Sequence, residues 1–298
     1  ERRIGRYTLD QLLVEVTGGG PSDDTSLASF GDSPTYAGGD HLPQGGFRSL
    51  VDAMAEGLDI HLEQPVTRVE LLEDGVVLTT STGTWAGTHA LLTVPLGVLQ
   101  AGTIEFVPPL PADKRGAIDR LGSGFVEKVA LVFDEQWWDG GGVFYIDAEQ
   151  QGRMPFAVDF TEQAGAPTLV ALYGGRYGRS VQGRLTDDEL VAEVLSMLGE
   201  ALGRSPPSPV DSRVTHWSTD PYTLGSYLYL PVGSTPDDIA LLAEPVAGRL
   251  LFAGEATLWE HGATVHGALQ SGLREAQRLG VSEINIPGLE DWTEANAE

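Results

Sequence analysis

Residues 249–280, RLLFAGEATLWEHGATVHGALQSGLREAQRLG, restrict the fold more than any other stretch of the chain. An apolar run at 250–253 reads as a short buried strand. Gly254 and Glu255 follow, then a loop, then a predicted helix over 264–279. That helix has a threonine at its start and an apolar stripe of Val265, Ala268, Leu269, Gly272, Leu273 and Ala276. Gly280 is its stop signal. A strand ending in a small residue and a carboxylate, feeding a helix with small residues around its N-terminus, suits a bound cofactor. Free N–H groups and the positive end of the helix dipole can face an electron-rich ring or a phosphate. Gly262, Ala263, Gly267 and Ala268 allow backbone and ligand to approach closely. An ordinary β-loop-α unit satisfies the same pattern, so both readings stand at this point.

The rest of the chain supplies a mixed set of elements. Residues 1–16 carry a helical apolar pattern (Ile4, Tyr7, Leu9, Leu12, Leu13, Val16), and 18–40 form a loop too polar for a core element. A helix is expected over 47–57 with Leu50, Val51, Met54 and Ala55 inward. Strands are expected at 58–62, 66–71, 75–80 and 84–87, a short apolar run at 90–94 is stopped by Pro95, and a helix is expected near 112–120. Strands at 126–133, 143–146 and 168–173 and a helix over 186–202 follow, with Gly140–Gly142 read as a hairpin turn. The tail 281–298 is acidic. At 298 residues the chain can hold one large domain or two. No apolar run is long enough to cross a bilayer, and a cytoplasmic location is expected. Eighteen Lys+Arg against 43 Asp+Glu give a formal charge of −25, which argues against nucleic acid or an anionic membrane as partner. The same charge would draw cations, amines among them. The absence of cysteine excludes disulfides and thiolate chemistry. Six scattered histidines with no HxxxH or HxH pair make a metal site unexpected.

FAGE followed by ATVHGALQSGLREA resembles the C-terminal FAD-binding signature of the flavin-dependent amine oxidases, in the branch of polyamine oxidases and lysine-specific histone demethylases. Two further blocks agree in order: HLPQGGFRSLVDAMAEGLDIHLEQPVTRVE at 41–70, and ALLTVPLGVLQAGTIEFVPPLPADKRGAIDRLGSGFVEKVALVFDEQWW at 90–138. The likeness runs from about residue 36 to 280. It implies an α/β (mixed α+β) chain in two parts. Residues 41–99 and 249–280 would belong to an FAD-binding, Rossmann-like domain; 1–40 and 100–248 would form a mixed-sheet substrate domain. No GxGxxG follows a strand here, so the first dinucleotide-binding unit of such oxidases is not found. The resemblance therefore leaves two expectations, a cleaved or trimmed chain or a second polypeptide that carries that unit.

Residue by residue, the resemblance assigns roles. Lys128 alternates with apolar neighbours in FVEKVALVF, sharing a strand face with Val126, Ala130 and Val132. Pattern alone makes it a surface lysine. The family match makes it the catalytic lysine that holds a water at the reactive flavin nitrogen. Gly254, Glu255, Thr264 and Val265 match cofactor-binding positions, as do Val66 near the adenine, Trp217 and Tyr222. Tyr227 and Thr264 match the two walls of the substrate slot, and His41 is a candidate pocket residue. Ser226 stands where a cysteine anchors flavin in some relatives, so FAD is expected to bind non-covalently. The implied reaction is oxidation of a C–N bond in a polyamine-like or monoamine substrate, with aldehyde, amine or ammonia and hydrogen peroxide released. Two rival readings are an L-amino-acid oxidase, for which Arg176 or Arg179 could hold a carboxylate, and a non-catalytic subunit or fragment. The lack of a long helical insertion argues against histone demethylation.

Overall fold

The computed structural model describes residues 14–26, 43, 45–146 and 156–281. In chain order these form helix α1 (Phe47–Ala55), strands β1 (Val66–Leu71), β2 (Val76–Thr80), β3 (Gly83–Gly87) and β4 (Ala90–Leu92), and helix α2 (Leu96–Ala101). Next come β5 (Glu105–Val107), α3 (Ala112–Arg120), β6 (Gly122–Ser123), β7 (Val126–Val132), β8 (Val143–Tyr145) and β9 (Phe156–Asp159). The remainder holds α4 (Thr161–Ala164), β10 (Thr168–Gly174), α5 (Gly175–Val181), α6 (Asp187–Leu202), β11 (Asp211–Val214) and β12 (Leu228–Tyr229). Helix α7 (Pro236–Ala243), strand β13 (Leu250–Phe252) and helix α8 (Val265–Arg278) complete the order.

The larger sheet is antiparallel, in the order β11-β7-β10-β9-β8. Its period-2 alternation puts Phe125, Val129, Leu131 and Phe133 on one face, where they pack with Leu190, Val194, Met197 and Leu198 of α6. That helix starts where the sequence says it should. Thr186 and Glu189 close a reciprocal capping box, three acids occupy its first turn, and Gly203 ends it in a left-handed conformation.

A second sheet runs β3-β2-β1-β5, a meander extended by the parallel strand β5. Strand β13 pairs in parallel with β4, Leu250 to Ala90 and Phe252 to Leu92, and all three of its residues are buried. Continuous apolar runs of this kind suit a strand covered on both faces. Helices α2, α3 and α7 share a separate core built on Leu96, Leu99, Ile118, Leu121, Ile239 and Leu242. At its edge Lys114 is buried, its Nζ donating to the carbonyls of Leu241 and Leu242 at 2.7 Å each and sitting 4.1 Å above the Phe252 ring.

Several expectations are corrected. Residues 58–62 form no strand, and Leu58, Ile60 and Leu62 are exposed. Helix α1 is amphipathic as expected, but Leu50, Val51 and Met54 face outward and it buries no residue. Gly140–Gly142 is not a hairpin turn, because β8 pairs with β9 and not with β7. The glycine-rich segment that begins at 18 is not simply a polar loop. Gly19, Gly20 and Thr25 are buried, and a Cβ on Gly20 would lie 2.2 Å from the Tyr229 ring.

Candidate cofactor site

Strand β13 delivers the site. It runs out of the core into Gly254, whose φ of 129° favours glycine, and a single 3-10 turn at Glu255–Thr257. The Gly254 N–H donates to Ser271 Oγ of α8 at 2.8 Å, which ties the strand exit to the helix. Thr264 caps α8 by accepting the Gly267 N–H at 3.0 Å, while its hydroxyl donates to the His261 carbonyl at 2.7 Å. The turn before it is tight: Ala263 has φ 63°, and a Cβ on Gly267 would lie 1.9 Å from the His261 oxygen.

Glu255 meets the expectation of a bonded carboxylate. Its Oε2 accepts the Leu228 N–H at 3.2 Å, and the Ala263 backbone N–H also reaches it. Burial pushes its pKa above the ordinary carboxylate range, against the opposing pull of those two donors. His261 and His266 lie edge to face with ring centroids 4.9 Å apart. Partial burial and the neighbouring His261 hold the His266 pKa below its usual value.

Two adjoining cavities of about 320 Å³ each share Leu92, Thr93 and Val94 as a common wall. One is lined by Ser226, Gly254, Glu255, Ala268 and Gly272, among others; the other by Val66, Val69, Trp85 and Ile104. A Cβ on Gly254 or Gly272 would meet nothing within 4 Å, so their small size leaves open space rather than close contact. Ser226 Oγ is buried without a hydrogen-bond partner among the described residues. The residue lines the first cavity, but this oxygen is sealed from it and faces Gly124, 2.9 Å from where a Cβ there would sit.

The structure brings Gly254 and Glu255 to one cavity and Val66 to the next. Thr264 and Val265 sit at the start of α8, with Val265 56% exposed. Trp217 and Tyr222 are exposed on the loop between β11 and β12. Tyr227 is turned inward: its hydroxyl donates to the Val16 carbonyl, its ring lies against Gly19, and burial pushes its pKa up to about 12. Lys128 is exposed on the sheet face opposite Val129 and Leu131, and no side-chain bond joins its ammonium to a described residue. His41 lies outside the described residues. Sequence reasoning passed over Ser271 and Arg274. The latter donates to the carbonyls of Phe252 and Thr257 at 2.7 Å each and bonds the fully buried Glu275 at 2.5 Å. A polar line at 271, 274 and 275 inside an otherwise small-residue helix was the available signal.

A buried strand, a glycine–glutamate exit and a capped helix N-terminus around a shared cavity are the features of an α/β protein that binds a cofactor. The sequence profile described as flavin containing amine oxidoreductase matches residues 5–280, and the chain belongs to that family. It is 40% identical over 288 residues to lysine-specific histone demethylase 1 homolog 1 of Oryza sativa subsp. japonica, covering 93% of this chain and 34% of that protein. Protein FLOWERING LOCUS D of Arabidopsis thaliana is 38% identical over 289 residues, 94% of this chain and 36% of that protein. Among solved structures, wild-type putrescine oxidase bound to putrescine superposes with a TM-score of 0.70 at 26% identity, over 79% of this chain and 53% of that one. The chain thus spans about a third of the curated relatives it matches and about half of the putrescine oxidase chain.

Membership makes FAD the cofactor, and the residues present fit it. The glycines that leave the wall open, the Glu255 carboxylate and the helix N-terminus are the spatial and polar features that a flavin nucleotide needs. Among the described residues no cluster of three or more His, Cys, Asp or Glu is placed to hold a metal ion. Among the same residues no helix is long and apolar enough to cross a membrane.

Proposed function

We propose that the chain carries the flavin-facing part of an amine oxidase that takes a polyamine-like or simple amine. The observation that carries this reading is the cavity between β13 and α8, lined by Gly254, Glu255, Ala268 and Gly272. Glu255 would accept hydroxyl donors of the cofactor's ribityl or ribose region, and Val66 would meet the adenine end from the adjoining cavity. The Val265 N–H, in the first turn of α8, would point its dipole at the ring and favour added negative charge. With no cysteine at 226 or elsewhere, binding would be non-covalent. When bound, FAD supplies the two-electron acceptor for an amine C–H bond, with oxygen as the final oxidant and hydrogen peroxide as product.

The protein's own part is to orient the amine and hold charge near the ring. Thr264 and the Tyr227 ring would wall the slot, Trp217 and Tyr222 would cover the cofactor, and the Lys128 ammonium would hold a water at the ring. Residues 41–99 with 249–280 would form the cofactor domain, and 1–40 with 100–248 the substrate domain. The exposed apolar residues of α1 and the start of α8 are surfaces that a GxGxxG-bearing unit would cover. The acidic chain favours a cationic substrate over an anionic one. Both arginines that could hold an amino-acid carboxylate are engaged, Arg176 by Asp23 and Arg179 by the Ser123 carbonyl, which favours amines over amino acids.

Purified protein should be yellow and should release peroxide with some member of a panel of putrescine, spermidine, benzylamine, a methyl-lysine peptide and L-amino acids. Assays run with and without a GxGxxG-containing polypeptide separate a fragment from a self-sufficient enzyme. Peroxide from amino acids alone would favour the rival oxidase. Lys128→Met should slow flavin reduction or reoxidation by at least about tenfold. Unchanged half-reactions would remove Lys128 from the site.

A further inference from the structure

Glu127 sits beside Lys128 on β7, points to the opposite face and is 2% exposed. Its two oxygens accept four hydrogen bonds. Oε2 takes the Thr215 hydroxyl at 2.5 Å and the Trp217 N–H at 3.1 Å. Oε1 takes the Ser218 N–H at 3.0 Å and the Ser218 hydroxyl at 2.9 Å. Thr215 is also bound on its other side: its Oγ1 accepts the Lys128 N–H at 2.8 Å, and its N–H donates to the Lys128 carbonyl at 3.0 Å. A hydroxyl has one proton, and here that proton is directed at the carboxylate. Glu127 therefore joins the backbone of Lys128 to the backbone of Trp217.

The connection continues to the cavity. The Trp217 carbonyl accepts the Gly225 N–H at 3.0 Å, and the next residue, Ser226, donates its N–H to Gly124 at 2.9 Å and lines the cavity wall. An apolar side chain at 127 would leave these four donors without their acceptor. A carboxylate that takes all four fixes the loop in one geometry.

We infer that Glu127 is a positioning residue that sets the register of the Lys128 strand against the 215–226 loop, and through that loop the placing of Trp217 and Ser226 toward the cofactor. This inference rests on the reading of the cavity as the flavin site. It involves no proton or electron transfer by Glu127 itself.

The test uses Glu127→Gln and Thr215→Val in the full-length holoprotein, with Leu198→Ala in the sheet core as a control. Glutamine keeps the shape but turns an amide NH₂ toward at least two donors in either flip. The expected result is an FAD dissociation constant raised about tenfold and a displaced visible flavin band, with Thr215→Val smaller and in the same direction. Leu198→Ala should lower the melting temperature and leave the spectrum of bound flavin unchanged. If Glu127→Gln does not fold, Thr215→Val decides. A yellow wild type whose variants keep its spectrum and affinity, or lose no more than the control does, overturns the role of Glu127 alone. A wild type that stays colourless both with and without a GxGxxG-containing polypeptide overturns the cofactor reading and this role together.

Discussion

Helices α6 and α8 each pack on a strand, but they bury opposite kinds of residue. Helix α6 turns Leu190, Val194, Met197 and Leu198 into the core beneath the five-stranded sheet, and its outward face is polar. Helix α8 buries Gly267, Ser271 and Glu275, while Val265 is exposed and Ala268, Leu269, Gly272, Leu273 and Ala276 are only partly covered. The line i, i+4, i+8 that meets β13 is the small and polar one, with Ser271 and Arg274 holding backbone groups of Gly254, Phe252 and Thr257. One helix is held by apolar burial and the other by hydrogen bonds to a strand exit. A helix of the second kind keeps its apolar stripe and its N-terminus available for something other than its own core.

Four measurements would break or sharpen this contrast. Leu198→Ala, at a fully buried site, should cost about 2–5 kcal/mol in denaturant unfolding. A loss under 1 kcal/mol would mean that α6 does not depend on apolar burial. The next largest effect should come from pH. Burial lowers the Lys114 pKa from 10.5 to about 8, against the raising influence of Glu244, Asp113 and Glu275. Between those two values the unfolded chain keeps a proton that the folded chain has released. Stability should therefore climb with pH across that window, by up to about 3 kcal/mol, and be lowest below it. Lys114→Met should flatten that stretch of the profile; a profile unchanged by the substitution would contradict the assignment.

Gly267→Ala sets a Cβ against the His261 carbonyl and should cost about 1–3 kcal/mol while loosening FAD. Full retention of both stability and flavin would show that the turn before α8 is not tightly specified. The smallest change is expected from Val265→Ser, within about 0.5 kcal/mol in thermal melts of the flavin-free protein, because that side chain is exposed. A large loss there would show that the stripe is packed after all.

The sequence was most readable where a local signal and the core agreed. Strand β1 and helices α3 and α6 run within a residue of the ranges that the pattern gives, 66–71, 112–120 and 186–202. It misled where amphipathicity was equated with inwardness. The apolar face of α1 was read as buried because periodicity reports which residues share a face and not what lies opposite that face. The 58–62 segment alternates apolar and polar residues yet finds no neighbouring strand among the described residues, so its pattern completes no ladder there. In the site, Gly254, Glu255 and Thr264 were legible from a short motif. Ser226 was singled out only through the resemblance, and Glu127 was not singled out at all, because its donors sit on a loop 90 and 91 residues away.

Tyr229 lies between Gly20 and Gly122, either of which would drive a Cβ into its ring, and its hydroxyl reaches Asp24. Backbone bonds from Ser26 to Leu230 and from Val232 to Asp24 fasten the same stretch to the chain beyond β12. A protease nick near residue 20, or an expression boundary drawn at residue 27, would strip this cover and leave two tyrosines wet. Shortened versions should therefore keep residues 14–26 if the Tyr227 and Tyr229 rings are to stay covered.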